Sequence, residues 1–303
     1  MKPRLSVILP ALLGYDTVLA ALDAWEAQSC RDQLEILILC PSAGVGTLPP
    51  GQVLIATGEL HLHQARAKGI LQASADYVML AEDHCLPDKF WAQAVLDRLA
   101  EGWDAVGPSL RSGNPATNWA QAAFLLGYGQ WMMPATGSVR VLPGHNVAVR
   151  KKPLLELGPA LENELLVAAF LVRRLQRQGQ RFFLDAQATM RHFDVPGGRK
   201  EMRIFYCVGL GFGAIRTLHW PRLGRAFYWL IIPAIAARHW GRALIQYRRA
   251  GGRARLNPWC LLAGAFLALG WACGESIGAL IGVARATPFL SFSEIKPVAR
   301  GDV

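Results

Sequence analysis

The sequence predicts an α/β fold with a mostly parallel sheet, followed by a C-terminal membrane-associated helical region, and three observations carry that expectation. Short apolar runs alternate with helix-period patterns over the first hundred residues, as in a βαβ series. One apolar run, Tyr77 to Leu80, empties into the consecutive ionisable residues Glu82, Asp83 and His84. Beyond Pro196-Gly197-Gly198 the charge changes: residues 196–303 hold 15 Lys/Arg against 4 Asp/Glu, whereas residues 1–195 hold 17 against 18. The expected division is therefore 1–195 for an α/β domain and 196–303 for a basic, hydrophobic helical region.

Taken in order, strands are expected at Leu5 to Leu9, Glu35 to Leu39, Val53 to Ala56 and Tyr77 to Leu80. Helices fit Asp16 to Gln28, His61 to Ala73 and Asp88 to Ala100, with turn chemistry at Pro41-Ser42-Ala43-Gly44 and Leu48-Pro49-Pro50-Gly51. A short strand is expected at Ala105 and Val106, then a loop at 112–115. A long helix is expected from about Pro159 to Arg177, stopped by Gly179, with strands at Arg181 to Leu184 and Ala188 to His192. Such open sheets collect ligands beyond the carboxyl ends of their strands.

The chain has 303 residues, 52% hydrophobic and 18% charged, which excludes disorder of the whole. A formal charge of +10 suggests a nucleic-acid binder, but all the excess basicity sits beside the longest apolar runs, so an anionic membrane surface is the better partner and no nucleic acid is expected. Six cysteines without any C-x-x-C pair fit a reducing compartment. Met1-Lys2-Pro3-Arg4 before an apolar run imitates a signal peptide, against which Leu5 to Leu9 reads as a buried first strand.

In the last third, Ala226 to Ala237 is uncharged, and Arg238, Arg242, Arg248, Arg249, Arg253 and Arg255 follow it. Twelve residues are short for a span and read as re-entrant or interfacial. From Leu256 to Ala284 only Glu275 is charged, long enough as a helix to cross a hydrocarbon core, although Glu275 is costly in lipid unless paired. A span, a membrane-embedded or surface-lying helical hairpin and an ordinary buried core helix all remain open. In the membrane versions the arginines mark the cytoplasmic side.

At the tip of the fourth strand, hard carboxylate oxygen from Glu82 and imidazole nitrogen from His84 form a donor set for a divalent cation and, through it, a diphosphate. Mn²⁺ suits a mixed set somewhat better than Mg²⁺ because imidazole is the softer ligand. A solvated acidic turn after a strand accounts for the same residues equally well.

Three ordered segments, Ser6-Val7-Ile8-Leu9-Pro10-Ala11, Gln64-Ala65-Arg66-Ala67-Lys68-Gly69-Ile70 and Glu82-Asp83-His84-Cys85-Leu86-Pro87, resemble family-2 glycosyltransferases of the GT-A fold over about residues 4–195. The resemblance implies that Pro10 and Ala11 face the nucleotide, that Arg66 lies near it, and that Glu82 and Asp83 serve the metal-bound diphosphate. It also implies His84 and the late His192 as further metal ligands. Pro143-Gly144-His145-Asn146 resembles the segment that shapes the sugar and acceptor pocket. In Leu161-Glu162-Asn163-Glu164-Leu165 the family's general base corresponds first to Glu164 and second to Glu162, although acids also favour a helix start without any function. One departure stands out: Cys40-Pro41-Ser42 replaces the acidic segment that contacts the base. Gly274-Glu275-Ser276-Ile277-Gly278 resembles members of this group with C-terminal membrane segments. The glycines of Val208 to Gly213 follow no expected strand, so they do not read as a dinucleotide fingerprint.

The resemblance implies a metal-dependent inverting glycosyltransferase at the cytoplasmic face of the inner membrane, with a nucleotide-diphosphate sugar donor and a hydroxyl acceptor, lipid-linked or envelope. The alternative from another class is a non-catalytic, membrane-anchored nucleotide-sugar-binding protein with a degenerate site. A nucleotidyl or phosphoryl transferase is disfavoured by the missing Gly-x-x-x-x-Gly-Lys loop.

Overall fold

Four buried or half-buried strands form the parallel half of the sheet: β1 (Leu5–Pro10), β2 (Leu34–Cys40), β3 (Gln52–Ala56) and β4 (Tyr77–Leu80). The computed structural model describes residues 2–42, 47–132, 135–194, 197–251, 256–294 and 297–302. Every residue of β1 is buried, which suits a central strand covered on both faces. It pairs in parallel with β2 and β4, and β3 pairs in parallel with β2. Helix α1 (Leu19–Glu26) follows a single 3₁₀ turn at Tyr15–Val18, so the expected helix at 16–28 begins in the tighter form. Helix α2 (Leu62–Gln72) packs on β1 through Gly69, where a Cβ would stand 2.8 Å from Ile8 Cγ2.

The rest of the sheet adds antiparallel strands to this parallel half. After β5 (Cys85–Pro87), helix α3 (Trp91–Ala100) leads to β6 (Ala105–Ser112), then helix α4 (Asn118–Gly127), β7 (Gly137–Val139) and β8 (Ala148–Arg150). Helices α5 (Lys151–Leu155), α6 (Leu161–Glu164) and α7 (Ala168–Arg177) precede β9 (Phe182–His192). Among the described residues the strand order is β3-β2-β1-β4-β8-β6-β9-β5, with β7 on β9, and β8 runs antiparallel to both β4 and β6. The sheet is thus mixed.

Two local expectations are corrected. The helix foreseen over 159–177 is broken by a 3₁₀ turn at Leu165–Val167, and Val167 takes extended angles (φ −137°, ψ 96°). Leu165, Leu166 and Val167 are all buried, and three consecutive inward side chains sweep an arc that one face of a straight α-helix does not cover. The two strands foreseen at 181–184 and 188–192 are one strand, because the polar Asp185 between them is buried on Arg98 (Oδ2 to Nε, 2.8 Å) instead of turning out to water.

The chain gathers into two compact units, one of Met1–Arg111, Met133–Arg191 and Pro297–Val303, the other of Ser112–Met132 and His192–Lys296. The second consists mainly of α4, α8 (Gly198–Arg216), α9 (Arg222–Phe227), α10 (Ile232–Ala250), α11 (Cys260–Ile281) and α12 (Val283–Glu294). Helix α4 has its own signal, Thr117, whose hydroxyl accepts the Ala120 N–H at 3.1 Å ahead of an apolar run. Gly282, at φ +76°, ends α11, so 22 residues replace the 29 foreseen over 256–284. Pro196, residues 43–46 of the turn after β2, and the arginines at 253 and 255 lie outside the described residues.

Helices α8 and α11 meet through glycine on both sides. A Cβ at Gly209 would come within 2.2 Å of the Trp271 carbonyl oxygen, and one at Gly213 within 1.8 Å of that of Glu275. In return, Gly274 and Gly278 approach the carbonyl oxygens of Tyr206 and Leu210 to 2.1 and 2.0 Å by the same measure. Each helix presents Gly-x-x-x-Gly, the pattern that lets two backbones touch. Helix α11 is the one described helix long and apolar enough to cross a membrane, and 56% of its apolar window is buried within the protein.

Gly213→Ala and Gly274→Ala should each lose about 1–3 kcal/mol, because backbone cannot yield as a side chain does. Gly241→Ala, within α10 and with nothing inside 4 Å of its Cβ, should be neutral or stabilise by up to about 1 kcal/mol. Urea unfolding of the three variants checks the contrast.

Candidate metal and transfer site

The site grows out of a mismatch between sheet order and chain length. Strands β4 and β5 are four steps apart in the sheet, yet only residues 81–84 separate them in sequence. Four interstrand steps in a flat sheet would need about 19 Å, whereas the five links from Leu80 to Cys85 reach at most about 17 Å when fully extended. The sheet therefore curls, and Ala81 to His84 bridge the curl. This brings the end of β4 toward β9, which neighbours β5 and holds its partner through the Asp88 N–H to the Thr189 carbonyl at 3.0 Å.

Glu82, Asp83 and His84 are 3%, 1% and 1% exposed, which rules out the solvated acidic turn. Buried charge needs partners. His84 Nδ1 faces Asp83 Oδ1 at 2.6 Å, and His84 Nε2 lies 3.9 Å from Glu82 Oε1. Asn146 donates from Nδ2 to Glu82 Oε2 at 2.6 Å, and its Oδ1 accepts the Glu82 N–H at 3.3 Å. Its own N–H donates to the Leu80 carbonyl at 2.8 Å. Asn146 holds φ +59°, a left-handed conformation that asparagine tolerates better than most residues. The preceding loop is fixed by Gly144, where a Cβ would sit 2.6 Å from the Ala169 backbone nitrogen at the start of α7.

His192 is the last residue of β9, the strand whose other residues belong to the first unit. It is 1% exposed, its Nδ1 lies 3.3 Å from Asp194 Oδ2, and the Tyr128 ring packs 4.3 Å from its own. Glu82, His84 and His192 each offer a ligand atom, and these atoms lie within 4.8 Å of one another. Ligand atoms on opposite sides of an ion with bonds of about 2.1 Å are about 4.2 Å apart, so the cluster is close to the spread one ion imposes. Both histidines turn Nδ1 to a carboxylate, which orients Nε2 as the ligand atom, the arrangement expected around metal-binding imidazoles. The donor set fits a divalent cation, and its mixed oxygen and nitrogen character suits Mn²⁺.

The other expected residues fall as follows. Pro10 closes β1, and Ala11, 1% exposed, donates its N–H to the Leu39 carbonyl at 2.8 Å. Cys40 is buried at the end of β2 and does not reach solvent. Arg66 is 1% exposed within α2 and is not a surface arginine. Glu164 is half-buried in α6 and ion-paired with Arg174 Nη1, while Glu162 is exposed on the same turn. Because α6 is a four-residue piece, these acids sit in the irregular turn before α7 rather than at the head of one long helix. His145 is half-buried beside Asn146. Sequence alone gives Asn146 no role beyond the segment 143–146, although an asparagine in a Pro-Gly-x-Asn turn is a recognisable αL signal.

A scan against protein-family models and a search of curated proteins return no match. Among solved structures, the chain is similar to S. aureus TarS at 14% identity and a TM-score of 0.49, over 90% of this chain and 55% of that one. The chain thus spans little more than half of that protein's length, and a likeness this loose assigns neither family nor reaction.

Asn146→Gly keeps the left-handed backbone while removing the clamp on Glu82. It should weaken Mn²⁺ binding about 10- to 100-fold in an electron paramagnetic resonance titration. Unchanged affinity would leave Asn146 as a turn residue only.

Proposed function

We propose that the chain is a metal-dependent, inverting glycosyltransferase of the family-2, GT-A type, moving a sugar from a nucleotide-diphosphate sugar to a hydroxyl acceptor. The observation that carries this reading is the buried cluster of Glu82, His84 and His192, with Asp83, Asp194 and Asn146 orienting its ligand atoms. In this reading residues 1–195 bind the donor and carry the chemistry, and the basic helical residues 196–303 hold the enzyme at the cytoplasmic face of a membrane. That placement suggests a lipid-linked or envelope acceptor.

A divalent cation, Mn²⁺ or Mg²⁺, held by Glu82, His84 and His192, would supply positive charge against the diphosphate that departs. The protein's own groups do the rest. Pro10, Ala11 and Arg66 flank the nucleotide, and Asp83 keeps the His84 ring oriented. Glu164, or Glu162 one half-turn before it, takes the acceptor proton as the acceptor oxygen bonds to the anomeric carbon and the bond from that carbon to the diphosphate breaks. For Glu164 this requires an acceptor hydroxyl to replace Arg174 as its partner.

That ion pair and the buried Cys40 favour a second reading, a membrane-anchored protein that binds nucleotide sugars without transferring them. The two readings part on turnover. Purified protein should show an Mn²⁺-dependent thermal shift with UDP or GDP, lost in Glu82→Gln and His84→Ala variants whose metal-free melting shows that they still fold. The enzyme reading also requires a labelled product from a panel of nucleotide sugars with membrane extract as acceptor. Nucleotide protection without product in any arm would favour the binding protein, and no protection at all would end both.

Glu164→Gln should lower turnover by roughly 10² or more while leaving nucleotide protection intact, because only proton transfer is removed. If Glu164→Gln turns over normally and Glu162→Gln does not, the two acids exchange roles.

A further inference from the structure

We propose that the second unit attaches to an anionic lipid surface peripherally, through the exposed apolar side chains between Trp220 and Ile231, and that α11 is a core helix of that unit rather than a span. The inference rests on the membrane part of the reading above and is independent of the transfer chemistry.

Two sets of observations lead to it. The first concerns α11. Its apolar residues are largely spent inside the unit: Gly274 and Gly278 lie against α8, and Cys260, Leu267 and Ala268 are buried in a cluster with α4, α8 and α10 residues. Only a narrow stripe is exposed, Leu262, Phe266, Leu269 and Leu280, at helical spacing. A helix packed in this way cannot enter the hydrocarbon core without its neighbours. Helix α10 carries Arg238, Arg242, Arg248 and Arg249, and α8 carries Arg199, Lys200, Arg203 and Arg216. Immersing them would strand many charges in lipid.

Glu275 points the same way. It is fully buried, accepts the Tyr228 hydroxyl hydrogen bond at 2.7 Å, is ion-paired with Arg216, and lies 3.8 Å from His239 Nε2. The acid that would be costly in lipid is therefore neutralised inside the unit. Its network ties α8, α10 and α11 to the turn that follows α9.

The second set concerns that turn. In α9 and the 3₁₀ turn after it, Leu223, Phe227 and Leu230 are 76%, 64% and 73% exposed, while Tyr228 between them is 3% exposed and faces Glu275. Their spacing of four and three residues puts them on one side of the segment. Trp220 precedes them and Trp229 lies among them, both half exposed, and aromatic residues of this kind concentrate where lipid meets water. Arg222 and Arg225 lie in the same segment, within a stretch of strong positive charge. Apolar anchors beside arginines match an anionic surface in both respects, which an ordinary protein partner need not.

The experiment uses the full chain. Sedimentation with mixed phosphatidylglycerol/phosphatidylcholine vesicles should bind the protein, and pure phosphatidylcholine should bind it far less. Leu223→Ser/Phe227→Ser/Leu230→Ser, all at exposed positions, should lower vesicle partitioning by about tenfold or more. The same changes at Leu262, Phe266 and Leu269 should lower it less. Alkaline carbonate should strip the protein from membranes of cells that make it. Retention after carbonate would mean that α11 spans, and full binding by the first triple variant would move the anchor elsewhere. Binding indifferent to phosphatidylglycerol, or absent, would overturn the proposal. Nucleotide protection persisting in such a case would show that the transferase reading had not failed with it.

Discussion

Three consecutive ionisable side chains, Glu82, Asp83 and His84, are buried where the sheet curls from β4 to β5, and that constraint organises the first unit. Charges removed from water persist only with partners. Asp83 answers His84, and Asn146 answers Glu82 from both ends of its carboxamide. To do so Asn146 adopts a left-handed backbone, which the Leu80 carbonyl holds from one side and the tight seat of Gly144 on α7 holds from the other. A turn that looks like a connector thus serves as the support of the acidic tip. His192 comes to the same place because β9 lies beside β5.

The second unit solves a related problem by other means. Gly209 and Gly213 on α8 meet Gly274 and Gly278 on α11 with backbone against backbone, which places Glu275 where Arg216, Tyr228 and His239 surround it. Burial and the Glu275 hydrogen bond push the Tyr228 hydroxyl up to about 12, so it remains a donor throughout the physiological range. A buried polar network of this kind costs less than an unpaired acid and sets the register of the helices that share it. With Glu275 paired inside the unit, the apolar residues left outside carry a different meaning: they are surplus to the core.

Pattern and chemistry were legible wherever they were local. All four strands of the parallel half begin and end within a residue of their expected positions, since each is a short apolar run bounded by turn residues. The short strands β5, β7 and β8 are three residues each, too short for any period, and β6 reached eight residues because the sheet pairs it. The break at Leu165–Val167 is not legible in the sequence because propensity favours helix on both sides, and only burial of three successive side chains overrules it.

By itself the sequence determined the alternation of strand and helix, the acidic tip after β4, and the shift to basic and apolar composition near residue 196. All of these depend on residues close together along the chain. The tertiary structure decided that Asn146, sixty-four positions away, holds Glu82, that Glu164 turns to Arg174, and that Glu275 is paired inside a helical core. Those outcomes depend on which surfaces meet, and a linear pattern carries no record of contacts between segments it does not place side by side.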